Sequence, residues 1–345
     1  MKKILLVVVL VVMCMSIFAQ VQITPYGSAR VGFWYTVTDE DYALDPERTQ
    51  MDFNLQSNSR FGVNFQNDAL TANVELGANG TIRFLWGRQK FNNWSLLVGL
   101  TEDGTNQGAR QVFGGDNMLR GWGAVYNGRN PMVRFEMDNG LYLAMIRPYT
   151  GSDPAGNPDA IDALIPRINL GWNLAHKTVR LQPTFVLQMY DYNEDRGQEG
   201  SVMAWLGALT FDYNENKFGT KVHVNYGVNI GQMGYGAFMQ GHPVNAGWDP
   251  IENETVDITT LGAVFTAGWD FTPNFNMNFG VGYVSSDMDD WEETDDRMAF
   301  YLQAVFKAKN LRIIPEVGML DYMDNQAGDS RGTVMYFGTQ LRLDF

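Results

Sequence analysis

The chain has 345 residues, of which 45% are hydrophobic and 13% aromatic, with 36 glycines; 39 acidic against 25 basic side chains give a net charge of −14. An acidic balance of this size argues against nucleic acid as a partner. The single cysteine, Cys14, excludes a disulfide framework and any cluster of cysteine metal ligands.

Lys2 and Lys3 precede a nearly unbroken apolar run from Ile4 to Phe18 that ends at the small residue Ala19. A charged start, an apolar stretch too short to cross a bilayer and a small residue at its end predict a secretory signal peptide. Cleavage after Ala19 removes residues 1–19, Cys14 included, and leaves 20–345 as one domain of charge −16. That domain holds no apolar run near the ~20 residues of a membrane helix.

From Val21 onward the pattern has a period of two, which places alternate residues on opposite faces of a strand. Val21, Ile23, Val31, Phe33 and Tyr35 alternate with Gln22, Thr24, Ser28 and Arg30. In 49–67, Met51, Phe53, Leu55, Phe61, Val63 and Phe65 lie opposite Asp52, Asn54, Gln56, Arg60, Asn64 and Gln66. Comparable stretches at 69–77, 81–89, 94–100, 131–137, 141–148, 165–173, 177–190, 201–213, 217–231, 255–271, 274–285, 297–307, 311–321 and 332–345 bring the count to sixteen strands. In 201–213 the alternation is ambiguous. Pro25, Pro183 and Pro315 fall inside strands, where a missing N–H predicts bulges.

The connections alternate in kind. Asn67-Asp68, Asn92-Asn93, Asp138-Asn139-Gly140, Ala175-His176, Asn214-Glu215-Asn216, Thr272-Pro273 and Lys309-Asn310 are short and made of turn residues. Those at 38–48, 101–130, 149–164, 191–200, 232–254, 286–296 and 322–331 are longer, polar and often acidic, with one very short member at 78–80. Phe65, Trp94, Trp172, Phe211, Tyr213, Trp269, Phe271 and Phe345 cluster beside the short turns on the apolar parity. Aromatic girdles, short turns at one end and long loops at the other are the wiring of a transmembrane barrel. Arg30, Arg60, Arg83, Arg134, Arg167, Arg180 and Arg342 occupy the other parity with Asp52, Glu75 and His223. Unpaired charges are very costly in a dry core but stay hydrated in a water-filled lumen, and sixteen strands enclose one.

The longest loop contains Gln111-Val112-Phe113-Gly114-Gly115-Asp116, between the fifth and sixth strands. This is similar to the Pro-Glu-Phe-Gly-Gly-Asp segment on the third loop of the general porins of Gram-negative bacteria. Ser57-Asn58-Ser59-Arg60-Phe61-Gly62 resembles that family's second strand, Ile82-Arg83-Phe84-Leu85-Trp86-Gly87 its fourth, and the strand ending at Phe345 its assembly signal. The resemblance implies an all-β, sixteen-stranded antiparallel barrel in the outer membrane, with the third loop folded inward. It implies passive diffusion of small hydrophilic solutes and ions, with no enzymatic activity or cofactor; a substrate-specific sugar or anion channel is the alternative, and an outer-membrane adhesin or enzyme comes last. The implied constriction sets Asp116, with Glu102 and Asp103 on the loop, against Arg60, Arg83 and Arg129. Implied partners are outer-membrane lipid, lipopolysaccharide, the barrel-assembly machinery and two further copies in a homotrimer. Gln111 and Val112 replace the family's Pro and Glu, and the 78–80 connection is much shorter than the loop that joins its subunits.

Other chemistry finds little support. His176, His223 and His242 have no serine at nucleophile-elbow spacing, and the acidic run 287–296 lacks the calcium-loop pattern. Acidic outer loops predict a mild cation preference, against which the lumen arginines pull.

Overall fold

A computed structural model describes residues 21–42, 48–149, 161–163, 165–192, 201–239, 241–249, 251–252, 254–289 and 291–345. The expected signal peptide, residues 1–19, lies outside them. Sixteen antiparallel strands close into a barrel. They are β1 (Gln22–Thr38), β2 in two parts (Thr49–Leu55 and Arg60–Gln66), β3 (Leu70–Gly77), β4 (Ile82–Lys90), β5 (Trp94–Thr101), β6 (Asn130–Met137) and β7 (Leu141–Ile146). Then come β8 in three parts (Ile161–Ala163, Arg167–Trp172 and Leu174–His176), β9 (Val179–Tyr192), β10 (Ser201–Glu215), β11 (Phe218–Val228) and β12 (Thr259–Thr272). The last four are β13 (Phe275–Asp287), β14 (Asp295–Ala308), β15 (Leu311–Asp321) and β16 (Thr333–Asp344).

Each strand pairs with its sequence neighbours, and β16 pairs with β1 from Ser28↔Asp344 to Thr38↔Val334. Phe345 completes the seam: its carbonyl accepts from Gly27 N at 2.7 Å and its N–H donates to Gly27 O at 3.1 Å. Closure joins the first and last strands of the sheet, which is what permits strands to cross hydrocarbon; the Thr49–Leu55 part of β2 extends past β3 and pairs with β1 alone.

The alternation appears in exposure. On β16, Met335, Phe337, Leu341 and Leu343 are exposed, whereas Tyr336 and Gln340 are fully buried. Met51, Phe53, Leu55 and Phe61 are likewise exposed on β2. An apolar band of this extent on a water-facing surface would drive association; against lipid it is stable. Aromatic rings continue around the short-turn end, with Phe218 against Trp269 at 5.9 Å and Phe271, Phe275 and Phe306 stacked at 5.4 and 5.0 Å.

The short turns lie between β2 and β3, β4 and β5, and so on to β14 and β15. Three are shifted from expectation: His176 still pairs with Val179, and the turn is made by Lys177, with φ of 50°, and Thr178, while Glu215 pairs with Phe218 and Thr272 with Phe275. The prolines also differ. None carries a register shift; the shifts fall at Glu75/Leu76 and Asp270/Thr272. Pro25 lies before the first β16 partner, and Pro183 faces the break in β8 after Trp172. Pro315 lies in the gap between Gln303↔Glu316 and Phe306↔Ile313. The ladder omits the bond that proline cannot donate, so no extra residue is needed.

The largest difference is in 229–258, where 232–254 is expected to be a polar outer loop between strands 217–231 and 255–271. It contains two short 3-10 turns, Ile230–Met233 and Tyr235–Phe238, and its Ile230, Met233, Tyr235, Met239 and Val244 are buried. They pack with Val186 of β9, Ala204 and Leu206 of β10 and Val284 of β13. Those wall residues lie on the parity opposite the exposed Phe185, Met189, Met203 and Leu209.

Candidate functional site

The segment between β5 and β6 is tied to the polar face of the wall at many points. Its Phe113–Asp116 turn follows from two glycines in left-handed conformation, Gly114 (φ 64°) and Gly115 (φ 81°), which residues with a Cβ adopt only with strain. The Phe113 ring stacks on Tyr336 at 3.9 Å and meets Trp34 edge-on at 5.3 Å. Glu316 of β15 accepts from the Val112 and Phe113 amides at 2.8 and 3.1 Å, from Gln303 Nε2 at 2.7 Å and from Tyr336 Oη at 3.1 Å. Arg110 donates to Asn278 Oδ1 at 2.6 Å, Gln182 Nε2 to Gly104 O at 2.8 Å and Asn225 Nδ2 to Gly123 O at 2.7 Å. A carboxylate satisfied by four donors is a strong fixed point, since each donor left unpaired in a buried place costs about 1–3 kcal/mol.

Beside this turn lies a cavity of about 430 Å³. Arg30, Arg60, Arg83, Arg120, Arg129 and Arg342 line it, against the carboxylates of Glu102 and Asp116, and Phe84, Tyr126 and Phe238 supply aromatic surface. Each acid holds particular cations. Asp116 pairs with Arg30 and accepts from Gln340 Nε2 at 2.7 Å. Glu75 accepts from Arg83 Nε at 2.7 Å and from Tyr26 Oη at 2.9 Å, with Arg60 at 3.7 Å. Glu102 takes Arg129 at 3.0 Å and lies 4.0 Å from Arg120. The Arg120 guanidinium stands 3.7 Å over the Tyr126 ring. Burial lowers its pKa from the ordinary arginine value, and Tyr126 and Glu102 act against that shift.

Sequence reasoning set Asp116 against Arg60 and Arg83; the acid instead meets Arg30, because Glu75 engages the other two. Asp103 does not line this cavity. It is buried, accepting from Asn127 Nδ2 at 2.5 Å and Tyr235 Oη at 2.9 Å. Asp52 lines a neighbouring cavity with Trp34, Gln50 and Phe113. Arg134 bridges to Glu136 at 3.3 Å and Arg180 to Asp212 at 2.5 Å, while Arg342 bonds Asp344 at 2.7 Å. Arg167 and His223 are on the polar parity but are buried under the inserted segments: Arg167 donates to Met233 O at 2.5 Å, and His223 shares a bond with Thr210 at 2.9 Å. Phe345 lies at the β1 seam.

Three contributors escaped sequence reasoning. Glu316 follows Pro315 on the inner parity of β15, a position that signals a carboxylate facing away from lipid. Arg120 and Phe238 gave no periodic signal, because both belong to irregular segments.

A further cluster lies where 229–258 meets the wall. His242 Nδ1 is 2.5 Å from Asp295 Oδ1, its Nε2 is 3.0 Å from Ser286 Oγ, and Arg331 grips Asp295 with bonds of 2.9 and 2.8 Å. The order serine, histidine, aspartate matches a charge-relay triad. Here Ser286 is fully buried and shares its hydroxyl with Thr260 at 3.0 Å. The cluster joins chain segments. Among the described residues, no group of three His, Cys, Asp or Glu side chains is placed to hold a metal ion.

No protein-family profile and no curated protein matches the sequence. Solved structures do match in fold. The outer-membrane channel DcaP of Acinetobacter baumannii superposes with a TM-score of 0.75 at 15% identity, over 95% of this chain and 98% of that one. The anion-selective porin from Comamonas acidovorans gives 0.59 at 13% identity, over 94% and 100%. OmpF of Salmonella typhi gives 0.59 at 12% identity, over 94% and 98%. The chain therefore has the closed sixteen-strand barrel fold of outer-membrane porins.

Proposed function

We propose that this protein is an outer-membrane porin, a water-filled channel for passive diffusion of small hydrophilic solutes and ions, with segment 102–129 as its constriction and a preference for anions there. The observation that carries the reading is the cavity at that segment, where six guanidinium groups face two carboxylates. A solute passing within a few ångströms of these side chains meets their field directly. The field of more distant charges, such as those of acidic outer loops, is screened by salt over about 8 Å. This reverses the cation preference expected from the loops. The exposed apolar band supports residence in the outer membrane, with lipopolysaccharide and the barrel-assembly machinery as partners and a homotrimer as the assembly.

A selective anion channel is the second reading, favoured by the continuation of basic side chains from Arg129 through Arg83, Arg60, Arg30 and Arg342 to Arg312 across two adjoining cavities. Reversal potentials under a salt gradient in planar bilayers test the first reading. Arg83→Ala is expected to lower, and Asp116→Ala to raise, the anion-to-cation permeability ratio; no change in either variant would refute the constriction. Saturable block by phosphate would favour the selective channel over the general pore.

A further inference from the structure

The cavity that holds the arginine ring is closed on one side by a residue from neither the wall nor segment 102–129. Phe238, at the end of the second 3-10 turn in 229–258, is 39% exposed and lines that cavity with Arg120, Arg129 and Arg83. Its ring lies edge-on to Tyr126 at 5.3 Å, and the Arg120 guanidinium is 5.8 Å from its centre. Arg120 therefore lies against a pair of touching aromatic rings, one from each inserted segment.

We propose that the constriction is built by two inserted segments, 102–129 and 229–246, and that Phe238 is a specificity-determining residue that sets its width and holds Arg120 at its edge. The inference rests on the reading of this cavity as the solute path. Three observations support a fixed element in place of a loose loop. First, the two segments touch backbone to backbone: Gly121 has φ of 78°, and a Cβ there would lie 2.1 Å from Phe238 O. Only glycine permits so close an approach without strain. Second, they share a buried polar knot, in which Tyr235 Oη donates to Asp103 at 2.9 Å and lies 2.8 Å from Thr105 Oγ1. Third, the far side of 229–246 is anchored to the wall. Ile230, Met233 and Val244 pack among Val186, Leu206 and Val284, and His242 is bonded to Asp295 and Ser286. Gln188 Nε2 also donates to Gln232 O at 3.2 Å. Against such an anchorage, a large apolar ring left exposed beside six cations is not packing for the core. Its face is available to a guanidinium, and its bulk occupies solute space.

The test uses the full-length protein in planar bilayers, with Phe238→Ala, Phe238→Trp, Arg120→Ala, the double variant Phe238→Ala/Arg120→Ala, and Arg83→Ala as reference. Phe238→Ala is expected to raise single-channel conductance, and Phe238→Trp to lower it. Phe238→Ala should also lower the anion-to-cation permeability ratio about two- to fivefold, the factor that corresponds to one cation–π contact. In the Arg120→Ala background it should leave that ratio unchanged while still raising conductance, because the hold on Arg120 and the bulk of the ring are separate effects. Wild-type conductance and selectivity in both Phe238 variants, with Arg83→Ala shifted, would overturn this proposal and leave the constriction reading intact. If Arg83→Ala were also unshifted, both would fall together.

Discussion

The two sides of the barrel interior obey the same alternation and use it differently. Along β1 to β4 and β16, inward positions carry Arg30, Arg60, Glu75, Arg83 and Arg342, which line open cavities as paired or partly paired ions. Along β9, β10 and β13, inward positions carry Val186, Tyr190, Ala204, Leu206 and Val284, all fully buried beneath inserted chain. The outward face is apolar on both sides. Inner positions thus differ with what lies against them: arginines cluster at the cavity beside 113–116, whereas under inserted chain the wall shows hydrocarbon together with polar groups such as Arg167, Gln188 and Glu316 that bond to that chain. A large barrel need not be a uniform tube.

The comparison breaks most sharply at Asp295. Its carboxylate is 1% exposed and joins His242 of the inserted segment to Arg331 of the β15–β16 connection. Removing one partner of such a buried pair leaves Arg331 uncompensated, so Asp295→Ala should destabilise the barrel by about 3–5 kcal/mol. Urea unfolding in detergent micelles measures it. A loss below about 1 kcal/mol would show that the filled side is not anchored there.

A reciprocal pair of substitutions sharpens it. Leu206 is fully buried on the filled side, and Gln50 is exposed on the open side beside a cavity. Leu206→Gln buries an unpaired amide and forfeits packing, with an expected loss on the order of 3 kcal/mol. Gln50→Leu faces water and should stay within about 0.5 kcal/mol of wild type. Equal losses in the same unfolding assay would mean that the two sides are alike after all.

Much of this architecture was legible in the sequence. Period-two alternation located sixteen strands, since lipid and lumen demand opposite chemistry from neighbouring residues. Phe113-Gly114-Gly115-Asp116 was legible through its resemblance to a porin loop segment, and its two glycines are what the left-handed turn requires. The partner of Asp116 was not. Which wall arginine a loop tip reaches depends on competition among acids, and Glu75 takes Arg60 and Arg83. The filled side left a trace in 201–213, where both parities are apolar. Such a pattern marks a strand covered on both faces, by lipid outside and by 229–246 inside. The covering segment itself was opaque: Ile230, Met233, Tyr235 and Val244 follow no period, because they approach the wall through irregular turns.

His242 gives the smallest effect and the most specific one. Burial pushes its imidazole below the ordinary 6.5, Asp295 on β14 raises it, and Arg297 on β14 and Arg331 on the β15–β16 connection lower it. The anchored state therefore favours neutral histidine, with Nδ1–H donated to Asp295 and Nε2 accepting from Ser286. Above pH 6.5 the anchored and unfolded forms are both neutral, and the stabilisation is fully present. As pH falls below 6.5, the unfolded form takes up a proton that the anchored form resists, so stability declines toward the depressed folded value. One group changes stability by at most about 1.4 kcal/mol per pH unit. Urea midpoints in detergent at pH 7.5 and 5.5 should therefore drop for the wild type and show a smaller drop for His242→Asn, which keeps a polar side chain but cannot titrate. Parallel pH dependence in the two proteins would place the acid sensitivity elsewhere.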